Sequence, residues 1–289
     1  HFAVVLALAS INPSAHAQTG YTEDSQHCDS AMVNAMGKPA GMNRFTYRRN
    51  DPEGLIVSGV CKTSSDNKSI TIGAFVSLAP GHSDQLTITM VNNQNYAAVA
   101  TYQESLVNSF TPKINTGRDM LRLDTARYDI AKGVRAFGLD VIAGPAPKQY
   151  CGQDDGGIVR TLFVRDGDRI RWLFDEGLRI SFRRYVEGDP RCVLENSPSP
   201  PSKTVTEDIH LTIAILDKVT DGYADLLITV VSSYSDGRPS LRKPFRSELR
   251  YNRQLYDNRD IGFYYTGGVR EEIDKWLAEE MPDSVPSLR

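Results

Sequence analysis

The chain has 289 residues of near-average composition, enough to bury a sizeable core in one or two domains. A formal net charge of −3 excludes the strongly basic balance that draws a whole protein to nucleic acid or to an anionic membrane. No stretch is apolar for long enough to be a membrane-crossing helix, so no transmembrane segment is expected.

The first residues read as export machinery. Phe2–Ala9 is a short apolar run, and Pro13-Ser14-Ala15-His16-Ala17 supplies small residues at cleavage spacing. Residues 1–17 are therefore read as a partial signal peptide and set aside from the fold. The expected localisation is periplasmic or secreted. The four cysteines, Cys28, Cys61, Cys151 and Cys192, then imply disulfides, for which three connectivities are possible. No C-x-x-C occurs, which weighs against a thioredoxin-like redox site or a zinc knuckle.

Asp29–Met36 reads as a short helix ending at Gly37-Lys38-Pro39. Asn43–Arg49 and Leu55–Cys61 read as strands about a turn at Asn50–Gly54. Ile70, Ile72, Ala74, Val76 and Leu78 then alternate with smaller or polar residues, the period of a strand with one wet face. Pro80-Gly81 turns the chain, and Leu86, Ile88 and Met90 return. Val99, Tyr102, Leu106, Val107 and Phe110 keep helical spacing and predict a helix. Leu121–Ile130 and Val134–Ile142 read as strands about Lys132-Gly133. Gly144–Pro147 is the expected boundary between a first half, 18–147, and a second, 148–289.

In the second half, Thr161–Arg165 and Asp168–Leu173 flank Asp166-Gly167, a strong hairpin signal. Leu178–Tyr185 is a further strand, and Ser197–Ser202 is a proline-rich loop. Phe245, Ser247, Leu249 and Tyr251 alternate against Arg246, Glu248 and Arg250. Ile261–Thr266 is an aromatic strand, and Val269–Met281 is an amphipathic helix with Ile273, Trp276 and Leu277 on one face.

Lys62–Met90, laid without gaps over Lys203–Val231, matches at Lys62/Lys203, Thr63/Thr204, Thr71/Thr212, Ile72/Ile213, Gly81/Gly222, Asp84/Asp225 and Leu86/Leu227. Turn glycine falls on turn glycine and strand apolars on strand apolars, which suggests a duplicated strand–turn–strand unit. The alternative is two unrelated hairpins that look alike. Duplication makes Cys28–Cys61 and Cys151–Cys192 the economical pairings, one within each half. The expected fold class is mainly β, a β-rich α+β chain of two related antiparallel halves with a few short helices.

Between the apolar runs Ile209–Leu216 and Leu226–Val231 lies Asp217-Lys-Val-Thr-Asp221-Gly222-Tyr-Ala-Asp225. This stretch resembles the FG-GAP (VCBS-type) repeat of secreted bacterial proteins and integrin-like propellers. The resemblance covers one unit and implies calcium held by Asp217, Asp221 and Asp225 between two strands. It departs from the pattern at Val219, the second ligand position, and Val76 and Pro80 replace two of the acids in the first copy. Calcium takes six or more oxygens, so the expectation is weak Ca²⁺ binding or no cofactor. A plain polar β-turn held by Asp and Gly geometry is the alternative. The Gly222-Tyr223-Ala-Asp225-Leu226 unit, with the later Arg250-Tyr251…Tyr256, is also similar to exported proteobacterial proteins, which implies compartment and a β-rich fold.

Other chemistry is sparse. No G-x-S-x-G or H-E-x-x-H occurs. Ser65–Lys68 and Ser240–Lys243 match S-x-x-K in turn settings without a K-T-G partner. His27, His82 and His210 lack metal spacing. Asp154-Asp155 and Glu271-Glu272 suit solvated loop and helix-start positions. Arg179, Arg183, Arg184 and Arg253 add to Arg242, Lys243, Arg246 and Arg250 to make the second half locally basic, and these last four form a candidate anion-binding set. Pairing with Glu187, Asp189 and Glu248 is the alternative use. The expected function is a non-enzymatic binding or interaction module, meeting an envelope component or a protein partner and not nucleic acid. A periplasmic hydrolase or a secreted enzyme inhibitor is the alternative.

Overall fold

The computed structural model describes residues 26–39, 41–42, 45–78, 84–106, 120–143, 155–173, 177–192, 203–240, 242–252, 264–266 and 269–278. The chain is mainly β. In order, the strands are β1 (Ile56–Thr63), β2 (Ile70–Ser77), β3 (Gln85–Asn92), β4 (Ala98–Ser105), β5 (Leu121–Ala131), β6 (Val134–Ala143), β7 (Asp155–Asp166), β8 (Arg169–Trp172), β9 (Leu178–Glu187), β10 (Val205–Thr220), β11 (Tyr223–Tyr234), β12 (Phe245–Asn252) and β13 (Tyr264–Thr266). Helix α1 (Ser30–Gly37) precedes them and α2 (Val269–Ala278) follows. Among the described residues no helix is long and apolar enough to cross a membrane.

The strands form one branched sheet, antiparallel except where β4 meets β8. Its centre is β7, which has three partners. β6 runs along Gly157–Val164, β9 pairs with Asp155–Arg160, and β8 pairs with Phe163–Asp166. One arm runs out from β8 through β4, β3 and β2 to β1. The other runs from β9 through β10, β11 and β12 to β13. β6 and β7 lie on opposite sides of the expected boundary at 144–147, and the sheet is continuous across it.

The central strands are apolar on both faces because each face closes a different core. Phe137, Leu139, Val141 and Phe163 point into a first core with Ile72, Ile88 and Leu123. Ala136, Leu162 and Val164, the alternate residues, point into a second with Ile209, Leu226, Leu249 and Trp276. Period-two alternation thus sends successive side chains of one strand into two cores.

A third, smaller core lies under α1. Asp29 caps this helix by accepting from the Met32 amide at 2.8 Å. Met32, Val33 and Met36 pack on Ile56, Cys61, Phe75 and Val91. Gly73 leaves the space that Met36 fills, since a Cβ there would collide with its sulfur. The Cys28–Cys61 disulfide ties the helix to β1. Just before it, the Gln26 side chain acts as a surrogate peptide group towards β5. Its Nε2 donates to the Leu123 carbonyl at 2.9 Å and its Oε1 accepts from the Leu123 amide at 2.8 Å, while the Gln26 carbonyl accepts from Cys61. Cys192 is also disulfide-bonded; its expected partner Cys151 lies outside the described residues.

Several expectations need correction. The helix expected over Val99–Phe110 is strand β4, with 107–110 outside the described residues. Gln85–Val91 of β3 pairs along it, and that long-range ladder overrides the local spacing. Of the strand expected at Asn43–Arg49, residues 43–44 lie outside the described residues, and 45–49 form one bridge, Tyr47 to Ile56, followed by a turn in which Asn50 and Asp51 both donate to the Tyr47 carbonyl. The β7–β8 turn is Gly167-Asp168, because Asp166 already pairs with Arg169; only Gly167 has a positive φ, of 64°. Among the described residues, the hairpin whose two turn residues both have positive φ is β10–β11, at Asp221 (51°) and Gly222 (86°).

Both stretches of the suggested duplication are antiparallel hairpins. Their pairing differs. Ile72 pairs with Met90, whereas Ile213, its match, pairs with Ile228 and not with Val231. Pro80 and Gly81 lie outside the described residues.

Candidate functional site

The acidic hairpin departs from the ligand loop that its sequence resembles. Ile215 pairs with Leu226 and Val219 with Ala224, so three residues of β10, Leu216, Asp217 and Lys218, stand opposite the single Asp225. This bulge re-aims the side chains. It brings Lys218, not Asp217, to Asp225, with Nζ 3.5 Å from Oδ2. The same Nζ lies 3.0 Å from Oε2 of Glu248 on β12. Asp225 is fully buried, and among the described residues neither carboxylate oxygen has a hydrogen-bond partner; the Lys218 contact is an ion pair without hydrogen-bond geometry. Asp217 and Asp221 are exposed. Among the described residues no three His, Cys, Asp or Glu side chains converge as a metal site.

The basic set divides in two. Arg242 is mostly buried. Its Nε donates to Glu207 at 3.0 Å, Nη1 to the Trp276 carbonyl at 2.7 Å and Nη2 to the Leu277 carbonyl at 3.1 Å. Arg184 also donates to the Leu277 carbonyl at 3.1 Å. Two cations thus satisfy the last carbonyls of α2, where the helix dipole is negative. The Trp276 indole returns a bond to the Lys243 carbonyl.

Lys243, Arg246 and Arg250 are exposed. Phe245, Leu249 and Tyr251 face the second core, so Arg246, Glu248 and Arg250 share the outward face of β12. Across the strands this face has rungs of Thr212–Thr229–Arg246 and Ala214–Leu227–Glu248, with His210 opposite Val231 beyond. Glu248 is engaged by Lys218. Among the described residues, the Arg246 and Arg250 guanidiniums have no acidic partner. Arg183 is paired with Asp208 at 2.7 Å, and Arg179 stacks on Phe182.

Sequence reasoning missed the strongest polar cluster. Arg160 of β7 holds Asp140 of β6 through two bonds, Nε to Oδ1 at 2.6 Å and Nη2 to Oδ2 at 2.8 Å. Its Nη1 reaches Asp124 of β5 at 2.6 Å and the Tyr128 hydroxyl at 2.9 Å, and that hydroxyl donates to Asp124 at 2.9 Å. Gly138 makes room: a Cβ there would stand 3.1 Å from that of Asp124. Burial works against the Arg160 charge, but the Asp140 bonds and the Asp140 and Asp124 charges outweigh it and raise its pKa above the ordinary range. Burial pushes the Tyr128 phenol up to about 12, with Asp124 adding to the rise and Arg160 opposing it. Every member is bonded inward, so the cluster is an ionic clamp across three strands. The only signal in the sequence is polar residues inside otherwise apolar strands.

The remaining candidates are dispersed. His27 and His210 are exposed, and His82 lies outside the described residues. Ser240 bonds to Ser232 at 2.6 Å, which leaves the second S-x-x-K match without a Ser–Lys pair. Ser65 accepts from Arg135. Glu272 accepts from Ser247, and Asp154 lies outside the described residues. Comparison with known proteins finds no matching family model, curated relative or solved structure.

Proposed function

We propose that the chain is an exported, non-enzymatic binding module of a bacterial envelope, with an anionic ligand on the outward face of β10–β12. One observation carries this reading. Arg242 is drawn inward to the end of α2, while Arg246 and Arg250 stand exposed on this face with no acid paired to them among the described residues. Thr212, Thr229 and His210 border them with further hydrogen-bonding groups. Arginine's planar fork suits phosphate and carboxylate oxygens. The Cys28–Cys61 disulfide supports an oxidising compartment, periplasmic or extracellular.

The test is binding of the chain to vesicles with and without anionic phospholipid, and to acidic and neutral polysaccharides. Binding to one anionic source and to neither neutral control is expected, weakening as salt rises. The double variant Arg246→Glu, Arg250→Glu should bind at least tenfold more weakly with an unchanged melt. Equal binding by the variant and the parent would refute the site.

A further inference from the structure

We propose that Lys218 and Asp225 condense to an intramolecular amide, with Glu248 as the proton carrier, and so covalently lock the β10–β11 hairpin. This does not depend on the reading of the Arg246–Arg250 face. Nucleophile, electrophile and base lie on three adjacent strands. The Lys218 nitrogen is 3.5 Å from the carboxyl of Asp225 and 3.0 Å from that of Glu248. A lysine amine becomes nucleophilic when a neighbouring base removes its proton.

Asp225 has the environment that favours reaction. It is fully buried, and neither oxygen has a hydrogen bond among the described residues. An ionised carboxylate in that state is costly, whereas an amide carbonyl carries no net charge. The Asp225 carboxyl itself is shielded from the water that would reverse the step, while Lys218 and Glu248 are each 49% exposed. In free solution water disfavours amide formation from an acid and an amine. Groups held in register reach effective molarities of about 10⁵–10⁸ M, far above the molarity of water itself. The bulge supplies the register, because it selects Lys218 from three residues facing Asp225.

The step balances without another reactant. Glu248 takes a proton from the Lys218 ammonium, and the freed amine attacks Cγ of Asp225. The N–Cγ bond forms and one Cγ–O bond breaks. Two ammonium protons, passed through Glu248, leave on that oxygen as water. One ammonium and one carboxylate become one amide and one water, and nothing is oxidised or reduced.

Intact mass and a tryptic map of the folded, purified chain decide it. The expected chain is lighter by one water than its sequence with disulfides. Its peptide Thr204–Arg242 stays whole because trypsin cannot cut at an acylated Lys218, and the Arg238–Pro239 bond resists it in any case. Lys218→Arg, which keeps the positive charge beside Asp225, should retain full mass, and Glu248→Gln should form the link about 10²-fold more slowly or worse. A wild-type chain of full mass, cut by trypsin at Lys218, overturns the proposal. So does loss of water that persists in Lys218→Arg, or that maps to a succinimide at Asp221-Gly222 with Lys218 still cleavable.

Discussion

Arg160→Met removes the one cation from the clamp across β5, β6 and β7. Asp140 is left with 0% side-chain exposure and Asp124 with 17%, both without the guanidinium that bonded them. Breaking a buried pair from one side costs about 3–5 kcal/mol, because a desolvated charge is left alone. For a chain of this size, 1 kcal/mol moves the midpoint by about 2–4 °C, so a fall of roughly 6–20 °C is expected. Urea and thermal melts in non-reducing buffer measure it. The reasoning makes a second demand: if stranded charge is the cause, neutralising it should help. Asp140→Leu added to Arg160→Met should recover about half of the loss, although Asp140→Leu alone is destabilising. A single-variant loss below about 1 kcal/mol, or losses that simply add, would refute the view of the clamp as a coupled ionic unit.

Stability should also fall at alkaline pH. The folded Tyr128 phenol titrates near 12 against an unfolded value near 10, so its contribution is complete below about pH 10 and lost as pH rises through 12. The loss is about 2–3 kcal/mol, and Tyr128→Phe should flatten that step; a parent melt independent of pH from 9 to 12 would contradict it. Replacing both Cys28 and Cys61 by Ala opens a loop of sequence separation 33. The chain-entropy cost is about 4 kcal/mol, and hydrogen exchange should rise most over α1 and β1. Exchange rising equally in the second core would argue against a local anchor.

Much of the architecture was legible in residue patterns. The alternation in Ile70–Ser77 and Phe245–Tyr251 marked strands, and β2 and β12 lie there; the wet face expected of β2 is instead buried, because Gly73 and Phe75 pack against Met36 of α1. Asp29–Met36 marked α1 and the Ile273/Trp276 spacing marked α2, both decided within a few turns of backbone. Val99–Phe110 misled because an i, i+3, i+4 spacing also fits a strand whose side chains are unevenly exposed. The hydrogen bonds that settled it come from β3. In the acidic hairpin too, a long-range feature sets the contacts. Linear spacing does not show which side chain meets Asp225, because a bulge between Ile215 and Val219 decides it.

Taken alone, the sequence determined the fold class, the positions of most strands and both helices, and the presence of disulfides. These depend on hydrophobic period, turn residues and caps, which act over a few residues. Only the tertiary structure decided that β7 would have three partners, that one strand would serve two cores, and which polar groups meet. Arg160 finds Asp140 from 20 residues away, and Lys218 finds Glu248 from 30. Such pairs depend on strand order and register, which arise from the packing of the whole sheet and leave no local mark on the chain.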